Sequence, residues 1–330
     1  MVKTPRLIVL TLGLGACTLL FQGCSRVQKF AVFQQGILAS MRSDNDAAIE
    51  DFSQVIDLDP KDEIAYNNRG VAYVRLREYN QAISDFTDAL EIAPKDAKAF
   101  YNRGMAYSAS GEGSKGIADL TQALALDPKN VEARQARAFA YAVQGDLDSA
   151  ITDFGAIIAL RPKNANAYTN RGTAYGQKGE NDLAIVDFTQ AIELDPDNDQ
   201  AYCNRGFAYE DKADYAKALA DYNHAIELNP KSSEACNDYA WLLATCPLAS
   251  VRDGKKAIEE AMQACELSDW KNAPAIDTLA AAYAETGDFT NAVKWENNYL
   301  QTPHLKPGDL LDAQKRLTLY ETNQPCHTDK

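Results

Sequence analysis

Histidine is scarce in this chain, and positive charge is in deficit. Only three of its 330 residues are histidine. His224, His304 and His327 are far apart, and no two share a helix face at the spacing a zinc site uses. Lysine and arginine number 33 against 47 acids, a net charge of −14. Nucleic-acid binding needs a basic stripe to displace counterions, so that class of partner is excluded. Nonspecific attraction to an anionic lipid face is disfavoured for the same reason. The glycine-rich run Gly111-Glu112-Gly113-Ser114-Lys115-Gly116 lacks the spacing of a phosphate loop and follows no strand. No metal and no cofactor are expected.

What the chain does have is a repeat. Pro60, Pro94, Pro128, Pro162, Pro196 and Pro230 recur every 34 residues without a slip. A period in this range means stacked copies of one supersecondary unit, each burying its apolar face only against its neighbours. With the proline counted as position 32, one unit carries Tyr66 at 4, Gly70 at 8, Tyr73 at 11, Ala82 at 20, Phe86 at 24 and Ala89 at 27. Later units repeat the set, with Tyr168, Gly172, Tyr175, Ala184, Phe188 and Ala191, then Tyr202, Gly206, Tyr209, Ala218, Tyr222 and Ala225. Positions 4, 8 and 11 fall on one helix face, and 20, 24 and 27 on another, with Gly111, Gly145 and Gly179 marking turns between. Small residues at 8 and 20 let two antiparallel helices approach, and the aromatics fill the space around them. Proline at 32 stops the second helix.

These residues at these positions resemble the tetratricopeptide repeat. The resemblance implies an all-α fold, a right-handed α-α superhelical solenoid of about eight helix pairs with a C-terminal capping helix. A degenerate first unit is expected over 27–60, five regular units over 61–230, an irregular one over 231–270 and a last one over 271–304. Within the irregular unit Ala257 arrives five residues late, so Cys246 to Gly254 reads as an enlarged loop. Residues 305–330 supply the capping helix, read over 309–320, and a tail. No separate domain remains to hold chemistry, so the protein is expected not to be an enzyme.

The first 24 residues have a different character. Lys3 and Arg6 precede an uncharged stretch from Leu7 to Ser25, the layout of an export signal. Leu20-Phe21-Gln22-Gly23-Cys24 resembles a bacterial lipoprotein box, which implies lipidation at Cys24. An uncleaved apolar anchor and an ordinary cleaved signal are the alternatives. The first two place the protein on a membrane of the bacterial envelope, facing the periplasm in a two-membrane cell. Five cysteines follow: Cys203, Cys236, Cys246, Cys265 and Cys326. Their odd number and lack of metal spacing favour small buried thiols, although an exported protein can oxidise them.

Two ladders run through the repeats. Position 6 holds Asn68, Asn102, Ala136, Asn170, Asn204 and Asp238. The asparagines resemble the ladder inside the superhelix of the O-linked N-acetylglucosamine transferases, which implies contact with a peptide backbone in the concave groove. Position 9 holds Val71, Met105, Phe139, Thr173, Phe207 and Trp241, read either as apolar subsites between the amides or as partly shielded packing. The competing reading of the asparagines is local helix contact. The second ladder pairs Arg69, Arg103, Arg137, Arg171 and Arg205 at position 7 with Asp85, Asp119, Asp153, Asp187 and Asp221 at position 23, and reads as architecture. The function these features imply is a scaffold holding a protein or peptide in a groove that the chain leaves open. The alternative is an assembly component that uses its convex face or self-associates.

Overall fold

The computed structural model describes the backbone of residues 12–328 and the side chains of residues 26–328. Among the described residues there are 17 helices in sequence and no strand. The expected all-α repeat architecture is what forms. The chain divides into two compact units, Met1–Asp153 and Phe154–Lys330.

The first unit contains α1 (Leu12–Met41), α2 (Asn45–Leu58), α3 (Glu63–Arg75), α4 (Tyr79–Ile92), α5 (Ala97–Ala109), α6 (Gly113–Leu126) and α7 (Val131–Val143). The division falls within α8 (Leu147–Leu160). The second unit continues with α9 (Ala165–Gln177), α10 (Asn181–Leu194), α11 (Asp199–Asp211), α12 (Tyr215–Leu228), α13 (Ser233–Thr245) and α14 (Gly254–Leu267). It ends with α15 (Ala273–Glu285), α16 (Phe289–Leu300) and α17 (Pro307–Glu321). Odd-numbered helices up to α15 are the first, or A, helices of each pair, and even-numbered ones the second, or B. Within the first unit α3 and α5 each pack on their own B helix and on the B helix before it, and within the second unit α11, α13 and α15 do the same.

Local chemistry explains where the helices start and turn. Every A helix from α3 to α13 begins after a side chain that accepts a hydrogen bond from its first turn: Asp62, Asp96, Asn130, Asn164, Asn198 and Ser232. Between the helices of a pair, position 15 takes a left-handed backbone. Glycine fills it at Gly111, Gly145, Gly179 and Gly287, whereas Arg77 and Ala213 hold φ of 63° and 59° there without that freedom. Close approach within a pair needs the glycine at position 8. A Cβ at Gly70 would lie 2.7 Å from the Phe86 ring, and one at Gly172 would lie 2.8 Å from Phe188. Phe52, Phe86, Leu120, Phe188 and Tyr222 are fully or almost fully buried at position 24, and they form the centre of successive layers.

The position-7 arginines tie these layers together. Arg69 donates from Nε and Nη2 to Asp85 at 2.9 and 2.7 Å, and from Nη1 to Ser53 Oγ of the preceding pair at 2.9 Å. Arg103 repeats the fork on Asp119 with Thr87, and Arg137 repeats it on Asp153 with Thr121. Arg205 does so on Asp221 with Thr189, and Arg171 forks onto Asp187. The guanidinium is sandwiched as well as paired: Arg205 sits 5.5 Å from the Tyr202 ring and 5.9 Å from Tyr209. All five aspartates are buried. The second ladder is therefore architectural, and it spans repeat boundaries through a hydroxyl at position 25 that pairing of arginine with aspartate alone does not foresee.

Asp253 caps α14 after the long connection that follows Thr245. Arg252 holds this connection by donating to the Cys246 and Pro247 carbonyls and to Glu285. Cys203, Cys236, Cys246 and Cys265 are buried free thiols and Cys326 is half-buried. Residues 1–11, which include the start of the uncharged stretch, lie outside the described residues, as do the side chains of Cys17 and Cys24. Among the described residues no helix is long and apolar enough to cross a membrane.

Candidate functional site

The position-6 and position-9 side chains fall on the A helices of both units. In the first unit Asn68 and Asn102 are half-buried, and Asn102 Nδ2 donates to Asn67 Oδ1 of the preceding A helix at 2.8 Å. Met105 and Phe139 are exposed, at 40% and 43% of their surface. Ala136 has no polar side chain, so the amide row stops there.

In the second unit these positions converge. Asn204, Phe207 and Asp238 line a cleft of about 380 Å³ with Thr173, Gly176, Cys203 and Glu234, formed by α9, α10, α11 and α13. Phe207 keeps 54% of its surface exposed. Asn204 Nδ2 donates to Thr173 Oγ1 at 3.2 Å, and its carbonyl oxygen accepts from Gln200 Nε2 at 2.9 Å. Asn102 and Asn204 thus staple neighbouring A helices, and Asn204 also lines the cleft. Asn170 is half-buried on α9 and does not line the cleft.

The electrostatics of this cleft come from residues with no counterpart in other repeats. Asp238 replaces asparagine at position 6, and burial raises its carboxyl to about 6, against donation from Asn237 Nδ2. Glu210 stands at position 12, where the other repeats carry Val74, Ser108, Ala142, Gly176 and Ala244. Burial raises Glu210 to about 7, while the Tyr222 hydroxyl donates to it at 3.0 Å. Burial and the nearby Asp238 carboxylate push the Cys203 thiol well above its usual range, so it is inert as a nucleophile. Position 12 was not singled out in the sequence, although Tyr222 gave a signal: a tyrosine where Phe86 and Phe188 stand needs a partner for its hydroxyl.

The far end of the A-helix face differs from the expectation of an open groove. Trp241 on α13 is half-buried beneath Arg316 of α17, whose guanidinium lies 5.9 Å from the ring. The tail then returns: Thr328 donates from its backbone and its hydroxyl to the Thr245 carbonyl at 2.8 and 3.1 Å. His327 Nε2 is 2.8 Å from Glu285 Oε2. The chain's own C-terminus therefore occupies position 13 of the last two repeats, and Trp241 packs against the capping helix. A long-range contact of this kind leaves no trace in the repeat pattern.

Models of the tetratricopeptide repeat match residues 64–96, 97–130 and 200–232, and a related repeat model matches 42–76, 140–179 and 172–213. Together they cover more than half of the chain, which therefore belongs to the tetratricopeptide-repeat proteins. No curated protein matches it. Among solved structures, MamA matches at 26% identity over 52% of this chain and 94% of its own, with a TM-score of 0.49. YrrB, described as a repeat protein with an unusual peptide-binding site, matches at 23% over 56% and 95%, also at 0.49. The Cut9–Hcn1 complex of the APC/C matches at 17% over 87% of this chain and 55% of its own, at 0.58, which reflects the fold alone.

Proposed function

We propose that the protein is a non-enzymatic scaffold that holds an extended segment of a partner polypeptide against its A-helix face, tethered at a bacterial cell envelope through lipid on Cys24. The observation that carries the binding reading is the open cleft of the second unit, which three neighbouring A helices line, α9 and α11 sharing position 9 (Thr173, Phe207) and α11 and α13 sharing position 6 (Asn204, Asp238). Stacked repeats present such positions at regular intervals, which suits an extended chain. Each hydrogen bond to a peptide nets only about 0.5–1.5 kcal/mol, so affinity requires several acting together.

Replacing Asn204 and Phe207, which line the cleft, together by alanine is expected to abolish capture of crosslinked partners from envelope extracts, read by mass spectrometry. An unaltered partner set favours the convex-face or self-association alternative. The tether has its own test. Lys29, beyond Cys24, bonds Asp59 and Asp62 at 2.6 Å each, so the first helix pair keeps this anchor after cleavage before Cys24. The purified mature chain is expected to begin at an acylated Cys24 by intact mass; retention of Met1 excludes it.

A further inference from the structure

Five buried aspartates in this protein each face an arginine, whereas the acids of the cleft face none. Among the described residues no lysine, arginine or histidine lines the cleft. The partners of Asp238 are Asn237 and the Cys203 thiol. Glu234 is a second carboxylate in the lining. Glu210 is near enough for its charge and that of Asp238 to oppose each other. Burying carboxylates unpaired is costly, and elsewhere the fold avoids it with an internal guanidinium.

The cleft also has room and an apolar wall. A Cβ built on Gly176 would meet nothing within 4 Å, so this helix face is open where a side chain would otherwise project. Phe207 presents its ring over the same space. An apolar surface ending in unneutralised carboxylates matches a long side chain with an aliphatic stem and a cationic head. A cation against an aromatic face adds to the fit.

We infer that this cleft takes a lysine or arginine side chain of the bound peptide, its stem against Phe207 and its charge at Asp238 and Glu234. The inference rests on the groove reading above and specifies its partner: a peptide with a basic residue at a fixed register. Both acids stand on α13 and Phe207 stands on α11, so the bound side chain bridges two consecutive A helices.

A phage-displayed random dodecapeptide library panned against the full chain tests both levels. Expected is enrichment of sequences with lysine or arginine at one aligned position. Binding of a synthetic enriched peptide, followed by fluorescence anisotropy, is expected to weaken roughly tenfold or more when that residue becomes glutamine. It is expected to weaken similarly in Asp238→Asn with Glu234→Gln. Asparagine already stands at position 6 in four other repeats, so the first of these changes suits the fold. The exposed pair Glu91→Gln with Glu321→Gln removes the same charge elsewhere and is expected to leave binding unchanged. Equal weakening by that control pair reduces the effect to net charge and overturns the inference. Enriched peptides that lose binding on Phe207→Ala but show no basic excess overturn the inference and leave the groove reading standing. No enrichment at all overturns both.

Discussion

Asp153→Ala is expected to lower the unfolding free energy by about 3–5 kcal/mol, the cost of leaving a partly buried charge without its partner. Asp153 is buried and accepts from Arg137 Nε and Nη2 at 2.8 Å each, and from Arg134 Nη1 at 3.2 Å. Its loss leaves two guanidinium groups facing a cavity. Arg134 stands at position 4, where other repeats place an aromatic, so this layer has less apolar material to compensate. Urea unfolding followed by circular dichroism measures the change, and an unchanged midpoint rules out pairing as a determinant of stability. Converting both partners to leucine, Arg137→Leu with Asp153→Leu, is expected to cost much less than the single change, because no ion of that pair is stranded. Partner binding is expected to survive Asp153→Ala, since its carboxylate faces the arginines and not the cleft of the second unit.

The second large effect lies where α17 closes the stack. Glu296 occupies position 24, the slot filled by Phe52, Phe86 and Tyr222 elsewhere, and is 0% exposed. It shares Arg316 with Asp277, at 3.4 and 2.9 Å respectively. Burial, then the Asp277 charge, pushes the Glu296 carboxyl up to about 9. Asp277 is also raised, by burial, against the pull of Arg316. Two acids compete for one guanidinium, and the fully enclosed one keeps its proton.

A carboxyl with a raised folded pKa binds a proton in the native chain that the unfolded chain has released. Its contribution to stability is fully present below the unfolded value of roughly 4.3 and is lost as pH rises towards about 9. Across that window this group alone lowers stability by up to about 1.4 kcal/mol per pH unit. Glu210 and Asp238 act in the same direction over narrower windows, up to about 7 and about 6. Glu296→Gln isolates the first term: the variant is expected to equal the parent near pH 5 and to exceed it at pH 9, by denaturant unfolding at each pH. Parallel pH curves for variant and parent eliminate the proposed protonation. Arg316→Ala is expected to destabilise at every pH, because both acids then lose their cation.

The departure at Glu296 was visible in the sequence as a break in the position-24 column, although its partner was not. Arg316 belongs to no repeat register, so nothing in the 34-residue pattern points from it to Asp277 or Trp241. The amide row shows the complementary case. Its spacing placed the asparagines correctly on the A helices, but position alone did not distinguish facing a groove from stapling neighbours, and Asn102 and Asn204 bond the preceding A helix.

The sequence by itself determined the helix pairs, the turn residues and the arginine–aspartate ladder. Each follows from periodicity within one repeat or between adjacent ones: Arg69 and Asp85 are 16 residues apart, and every later pair copies that separation. Only the tertiary structure decided which stretch of the A-helix face stays open. That depended on Asp238 of α13 meeting Asn204 and Phe207 of α11 in one cleft, and on Thr328 returning 83 residues to Thr245. Periodic local chemistry is repeated in every unit and can be read from any of them. Long-range closure happens once, and its geometry exists only when the chain is folded.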